Sequence, residues 1–183
     1  MSGFCPLVIV SWMLMDASQE LSNTFLSFSR QKLIGEMWPR LCSCLDELTE
    51  EQIWWRPNEA SNSIGNLLLH LNGNVRQWIL QSIGSVENVR DRNSEFSQRD
   101  VIPSAELRVA LDATLRQVDG VLQKLTSQDL LRKHHIQVYE DVAALDAIYH
   151  VVEHFAMHYG QILYVAKLIR GKDLGFYAHL NQV

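Results

Sequence analysis

The sequence predicts an all-α fold, a four-helix bundle with one long crossover loop. Three observations carry that expectation. Four long segments repeat apolar residues at helical spacing, and no segment alternates convincingly enough to make a sheet. The connections are unequal, the longest being a polar stretch from Ser85 to Ile102.

The first helical segment runs from about Ser18 to Leu48. Leu21, Phe25, Phe28, Leu33, Met37, Leu41, Leu45 and Leu48 recur in it every three to five residues. Pro39 falls inside it, and a proline removes one backbone donor, so a kink or break is expected there. Thr49 to Asn62 is a polar loop in which Thr49 and Gln52 have capping-box spacing. Trp54, Trp55 and Arg56 in this loop are read as a cover for the end of the core, the alternative being a pocket mouth.

The second helix begins near Asn62 or Ser63, both good N-cap types. Ile64, Leu67, Leu68, Leu71, Val75, Trp78 and Ile79 form its buried face, and Gly84 is its stop. Ser85 to Ile102 has no period and reads as the crossover loop. Ser104 is the expected cap of the third helix, whose stripe is Leu107, Leu111, Leu115, Val118, Leu122 and Leu125. A connector from Ser127 to Asp141 alternates briefly, enough for one extended piece. The fourth helix spans about Val142 to Arg170, with Leu145, Ile148, Val152, Phe155, Ile162, Val165, Leu168 and Ile169 facing the core. Gly171 stands where a left-handed C-cap is usual.

At 183 residues the chain suits one domain, read as residues 18–183 behind an apolar extension at 1–17. That extension is too short to span a bilayer and has no basic residue in front of it. It is read as a mis-assigned translation start, with the chain beginning at Met13 or Met15, or else as a short packed extension. A net charge of -5 argues against a nucleic-acid partner, which would need a basic patch. No membrane partner is expected either. Cys5, Cys42 and Cys44 make an odd count with no spacing for a thiolate metal site, and they fit a reducing cytoplasm.

The stretch "YHVVEHFAMHYGQI" sets His150, His154 and His158 at four-residue intervals on one slowly turning helix face. A pair at that spacing can grip one metal ion, and His70 is the one histidine of the second helix that could add a third ligand. Spacing alone leaves metal ligation and hydrogen-bonded core histidines as equal readings. Glu153 is about 100° around the helix from His154 and so is expected to point away. His134, His135 and His179 lie in polar surroundings and read as solvated.

The elements "WWRPNEASNSIGNLLLHL" and "HVVEHFAMHYGQI" resemble the DinB/YfiT-like superfamily of metal-dependent four-helix-bundle proteins, in its bacterial branch. The resemblance covers Ser18 to Tyr177 in order and spacing. It implies three histidines on one divalent ion, and the matching positions are His70, His154 and His158. His150 then lies one turn outside the pair, as a pocket-wall or structural residue. Asn74, one turn after His70, and Gln161, three after His158, are placed to reach the site's edge or to form ordinary polar faces.

The resemblance further implies zinc, nickel or iron as cofactor, a small-molecule substrate and a homodimer. Its leading activity is S-transfer from a low-molecular-weight thiol, such as bacillithiol or mycothiol, to a small electrophile. A metal-dependent hydrolase and a non-catalytic metal- or metabolite-binding stress-response protein are the alternatives. No catalytic side chain beyond the ligands is assigned.

Overall fold

In the computed structural model, which describes residues 6–182 and the side chains of residues 17–180, the first helical column runs through Pro39 without a break. It consists of α1 (Pro6–Arg30), a π-helical segment (Gln31–Met37) and α2 (Trp38–Leu45), with right-handed helical dihedrals at both junctions. Proline offers no N–H to the carbonyl one turn earlier and its ring crowds that carbonyl. The wider π turn just ahead of Pro39 accommodates both, so the helix continues through the proline. The reading of residues 1–17 as a start error falls almost wholly on side chains outside the described range.

The buried face of α1 is turned from the expected one. Leu21 is 72% and Phe28 61% exposed, whereas Ser22, Leu26 and Ser29 are buried. The two serines are satisfied within the helix, their hydroxyls donating to the Ser18 and Phe25 carbonyls at 2.9 and 2.8 Å. Small side chains at these positions let the column lie close to its neighbours, which apolar counting does not anticipate. The lower half follows expectation, with Met37, Leu41 and Leu45 buried.

Thr49 caps α3 (Glu50–Trp54) through the capping box with Gln52. Ser63 caps α4 (Ile64–Val75) in the same way with Asn66, and the column continues as a second π-helical segment (Arg76–Gln81). All seven expected core residues of this column are buried. The crossover is not featureless: Asp91 caps α5 (Arg92–Ser97), a short helix held against α4. Pro103, rather than Ser104, occupies the cap of α6 (Ser104–Leu122), and the Ser104 N–H donates to the Glu50 carboxylate at 3.0 Å.

After α7 (Ser127–Leu131) the connector forms an antiparallel hairpin of β1 (Lys133–Ile136) and β2 (Tyr139–Ala143), turning at Gln137 with φ of 59°. The sequence allows one extended piece in this connector; the chain forms two paired strands and departs from all-α here. The last long helix, α8 (Ala144–Arg170), ends on Gly171 with φ of 64°, the left-handed cap that the sequence predicts. A short 3-10 turn, Ala178–Gln182, follows.

The fold is therefore mostly helical. Its core lies between the four long helical columns, with Leu41, Leu71, Leu111 and Phe155 inaccessible to solvent. On α8 the contacts are made by Ala144, Ala147, Val151 and Ala166 together with Ile148, Phe155 and Ile162. Leu145 and Leu168, expected in the core, are exposed because the alanines take the close-approach positions. Among the described residues no helix is long and apolar enough to cross a membrane. What matters for function is that α4 packs against both α5 and α8.

Candidate metal centre

Three ring nitrogens converge where α4 meets α8. His154 Nε2 is 3.1 Å from His70 Nε2 and 3.2 Å from His158 Nε2. One nitrogen from each ring lies within 4.8 Å of the other two. Tetrahedral bonds of 2.0–2.1 Å to one ion would separate its nitrogen ligands by about 3.3 Å. The donor set fits an ion of that size.

The partners of the outer nitrogens decide where the protons are. His70 Nδ1 faces Glu95 Oε2 at 2.9 Å and Arg90 Nη2 at 3.2 Å; Nη2 already donates to Glu95 Oε2 at 2.8 Å and a carboxylate only accepts, so the shorter contact puts the hydrogen on Nδ1. His158 Nδ1 donates to Gln161 Oε1 at 2.7 Å. In both neutral rings the Nε2 lone pair is then turned inward. A single hydrogen on His154 Nε2 could satisfy one of those lone pairs but not both, and His154 Nδ1 is itself buried with no partner among the described residues. One divalent cation would engage the inward lone pairs of all three rings at once.

Electrostatics keeps the pair on α8 ready to bind. Burial, followed by the neighbouring His158 and His70 rings, pushes His154 down to about 3. Burial also lowers His158, with the Gln161 bond working the other way. Both rings are thus neutral at pH 7 and available as ligands.

Behind His70 stands a charged support that the sequence did not reveal. Glu95 on α5 is 7% exposed; burial raises its pKa, but bonds from Arg90 and His70 outweigh this and hold it below the usual value. Arg90 grips it twice, Nε to Oε1 at 2.7 Å and Nη2 to Oε2 at 2.8 Å, and spends Nη1 on Gln77 at 2.8 Å. Asn66 fixes α5 in place by donating to the Glu95 and Gln98 carbonyls at 2.9 and 3.1 Å. Gly73 makes room: a Cβ there would stand 1.9 Å from Glu95 Oε1. Phe96 packs its ring 4.6 Å from that of His70.

Of the remaining expected residues, His150 stands apart from the three nitrogens. Its ring lies 4.0 Å from Trp78 and 5.4 Å from His154. With Asn74 it lines a cavity of about 430 Å³ that opens beside His70 and His154. Asn74 is buried and its Oδ1 has no partner among the described residues. Glu153 is exposed. Trp54, Trp55 and Arg56 do not line this cavity; Trp54 packs over Gly65 and bonds the Ile102 carbonyl at 3.1 Å. Burial pushes the Cys44 thiol up to about 11, which suits an inert core cysteine.

A sequence family described as a protein of unknown function, DUF1572, matches residues 20–178. The chain belongs to the DUF1572 family. The match spans every element of this DUF1572 chain that supplies a histidine or supports one. No curated protein matches the sequence. A crystal structure described as the conserved protein of locus from Enterococcus faecalis is similar in fold, with a TM-score of 0.62 at 16% identity over 84% of this chain and 98% of that one. At that identity the likeness concerns the fold alone.

The support behind His70 left one trace in the sequence. Asp91 followed by Asn93, Ser94 and Glu95 has the composition of a capped first helical turn. Six residues are too few for a periodic signal, so this DUF1572 chain hides its buried carboxylate in what reads as a loop.

Proposed function

We propose that the protein is a metal-dependent enzyme of the DinB/YfiT-like type, a four-helix bundle in which His70, His154 and His158 hold one divalent ion through Nε2. What supports this is the convergence of three ring nitrogens, two of them fixed with lone pairs inward by Glu95 and Gln161. Zinc, nickel and iron all suit imidazole ligands. Held by three neutral imidazoles, such an ion keeps its full charge and an open position, and it supplies Lewis acidity that acidifies a bound water or thiol.

The chain's own residues do the rest. Glu95 sets the tautomer and orientation of His70, and Arg90 keeps Glu95 ionised. Gln161 does for His158 what Glu95 does for His70. His150 and Asn74 border the cavity in which a small molecule would be oriented.

The leading reaction is S-transfer from a low-molecular-weight thiol to a small electrophile. The thiol gives up its proton to solvent, sulfur bonds to the electrophilic carbon, and that carbon releases its leaving group with the bonding pair. Bound by both Arg90 and His70 and held ionised, Glu95 positions His70 and is not a general base for this step. We place the enzyme in the cytoplasm as a homodimer on the strength of the resemblance and of the cysteine pattern.

Elemental analysis of the protein purified without a polyhistidine tag tests the reading, with wild type beside His70→Ala. About one metal per chain, lost in the variant, is the expected result, and thiol-dependent consumption of electrophiles should follow in the loaded protein. No metal in either, even after reconstitution with zinc, nickel and iron, would leave the three rings as hydrogen-bonded core groups and favour a non-catalytic metabolite-binding protein.

A further inference from the structure

The cavity beside the three histidines carries information about its occupant. Two arginines line it, and they differ in state. Arg90 is bonded to Glu95 and Gln77. Arg92 is exposed, makes no ion pair among the described residues, and lays its guanidinium 4.9 Å from the centre of the Phe96 ring. It is also the first residue of α5, where the helix dipole disfavours a cation. Helix stability therefore does not account for Arg92.

Asp146 lines the same cavity with the opposite sign, but its position is explained without a ligand. It stands in the first turn of α8, where a carboxylate is favourable. Of the two lining charges without an ion pair among the described residues, Arg92 is the one that its helix end does not account for.

The wall of the cavity is aromatic. Trp78 is buried and stacks with His150 at 4.0 Å and 33°, and Tyr139 reaches in from the hairpin to 6.1 Å from the same indole. Trp78 Nε1 has no partner among the described residues, so a donor on this wall is unused. A free inorganic anion would use Arg92 but none of the apolar area of this wall. A neutral ring would use the wall and leave Arg92 with its contact to Phe96 alone.

We propose that this cavity selects small molecules in which a carboxylate is joined to a planar, conjugated ring, with Arg92 taking the carboxylate and the Trp78–His150–Tyr139 wall taking the ring. The selection rests on the metal-site reading only in naming these molecules as substrates; carboxylate binding itself does not need the ion. Arg92 is then the residue that sets specificity. It reads charge through a guanidinium whose fork matches a carboxylate's two oxygens. The cavity volume of about 430 Å³ is in the range of small-molecule sites.

The test is calorimetric titration of chelator-treated protein with 2-naphthoate, 2-naphthamide and cyclohexanecarboxylate, repeated on zinc-reconstituted protein. In both forms 2-naphthoate should bind at least about tenfold tighter than either of the others, as expected for one charge-assisted contact and one stacked ring. Arg92→Gln should remove the preference for naphthoate over naphthamide while leaving naphthamide unchanged, and Arg92→Lys should restore part of it. Circular dichroism checks that the variants keep their helices. Equal binding of acid and amide, a preference that survives Arg92→Gln, or no binding at millimolar naphthoate would each overturn the proposal. Protein that holds metal but shows no preference refutes this inference alone; protein that prefers naphthoate but holds no metal refutes only the metal site.

Discussion

Glu95 Oε2 lies 2.9 Å from Nδ1 of His70, joining the crossover segment to the second long column across 25 residues of chain. This bond fixes which nitrogen of His70 faces the other two histidines. Glu95→Gln should therefore weaken metal binding by about 10–100-fold, the usual effect of removing a ligand's carboxylate partner. Glu95→Ala should also lose about 3–5 kcal/mol of stability, because Arg90, 5% exposed, would be left buried without a counter-charge. Chelator competition and thermal unfolding separate the two effects. Unchanged affinity in Glu95→Gln would mean that His70 is oriented by packing on Phe96 instead.

Gly73 gives a sharper test, since it lies against Glu95 and Arg90 and not against a histidine. Its hydrogen occupies space that a methyl group would share with Glu95 Oε1, only 1.9 Å away. Alanine should gain about 1 kcal/mol in a helix interior. Overpacking against a carboxylate held on two sides should cost about 1–3 kcal/mol and win. Gly73→Ala is expected to be less stable and to bind metal more weakly than wild type. A more stable Gly73→Ala with normal affinity would show that Glu95 can shift freely.

The three histidines of α8 should separate cleanly by substitution. His154→Ala and His158→Ala are each expected to abolish metal binding, while His150→Ala keeps about one metal per chain. His150 stacks on Trp78 and is not among the three converging nitrogens. Helix content should survive in all three, because the core residues Phe155, Ile148 and Ile162 are untouched. Metal content by elemental analysis decides it. Loss of metal in His150→Ala would show that the ligand pair is misassigned.

How much of this was readable beforehand depended on the range of the forces involved. The caps at Ser63 and Gly171 and the buried stripe from Ile64 to Ile79 follow from local pattern, and they stand where the pattern puts them. Spacing puts His150, His154 and His158 on one face but leaves the ligand pair open, and the choice of His154 and His158 with His70 comes from the family resemblance. Glu95 does not follow from local pattern. It is buried because Asn66 and His70, both distant in sequence, and Arg90, five residues before it, satisfy α5 and its carboxylate. The buried face of α1 was misjudged for a related reason: Ser22 and Ser29 bond their own helix, so polarity did not keep them out of the core. Of the hairpin one extended piece is legible; its second strand is not, since the strands are only four and five residues long and their pairing is written in neither alone.

Acid should destabilise the metal-free protein earlier than carboxylate titration would. His154 has an ordinary value of 6.5 and is pushed to about 3 in the fold, chiefly by burial. Below pH 6.5 the unfolded chain therefore takes up a proton that the folded chain refuses. Stability is full above that pH and falls as the pH drops toward 3. His158 and His150 are lowered too and steepen the fall. Carboxylates held below their usual values, such as Glu95 and Asp119, act in the same direction but only once the pH nears 4.5. Between pH 6.5 and 5 the slope belongs to the histidines, and discounted for partial exposure His154 alone should account for about 1–2 kcal/mol by pH 5. Urea unfolding across that range checks it, with His154→Asn expected to flatten the curve. Zinc should restore stability at neutral pH and lose its effect on acidification, because protons and the ion compete for the same three nitrogens. A wild-type curve that is level from pH 6.5 to 5 would mean that these rings are not neutral in the fold, and the metal-site reading would lose its electrostatic support.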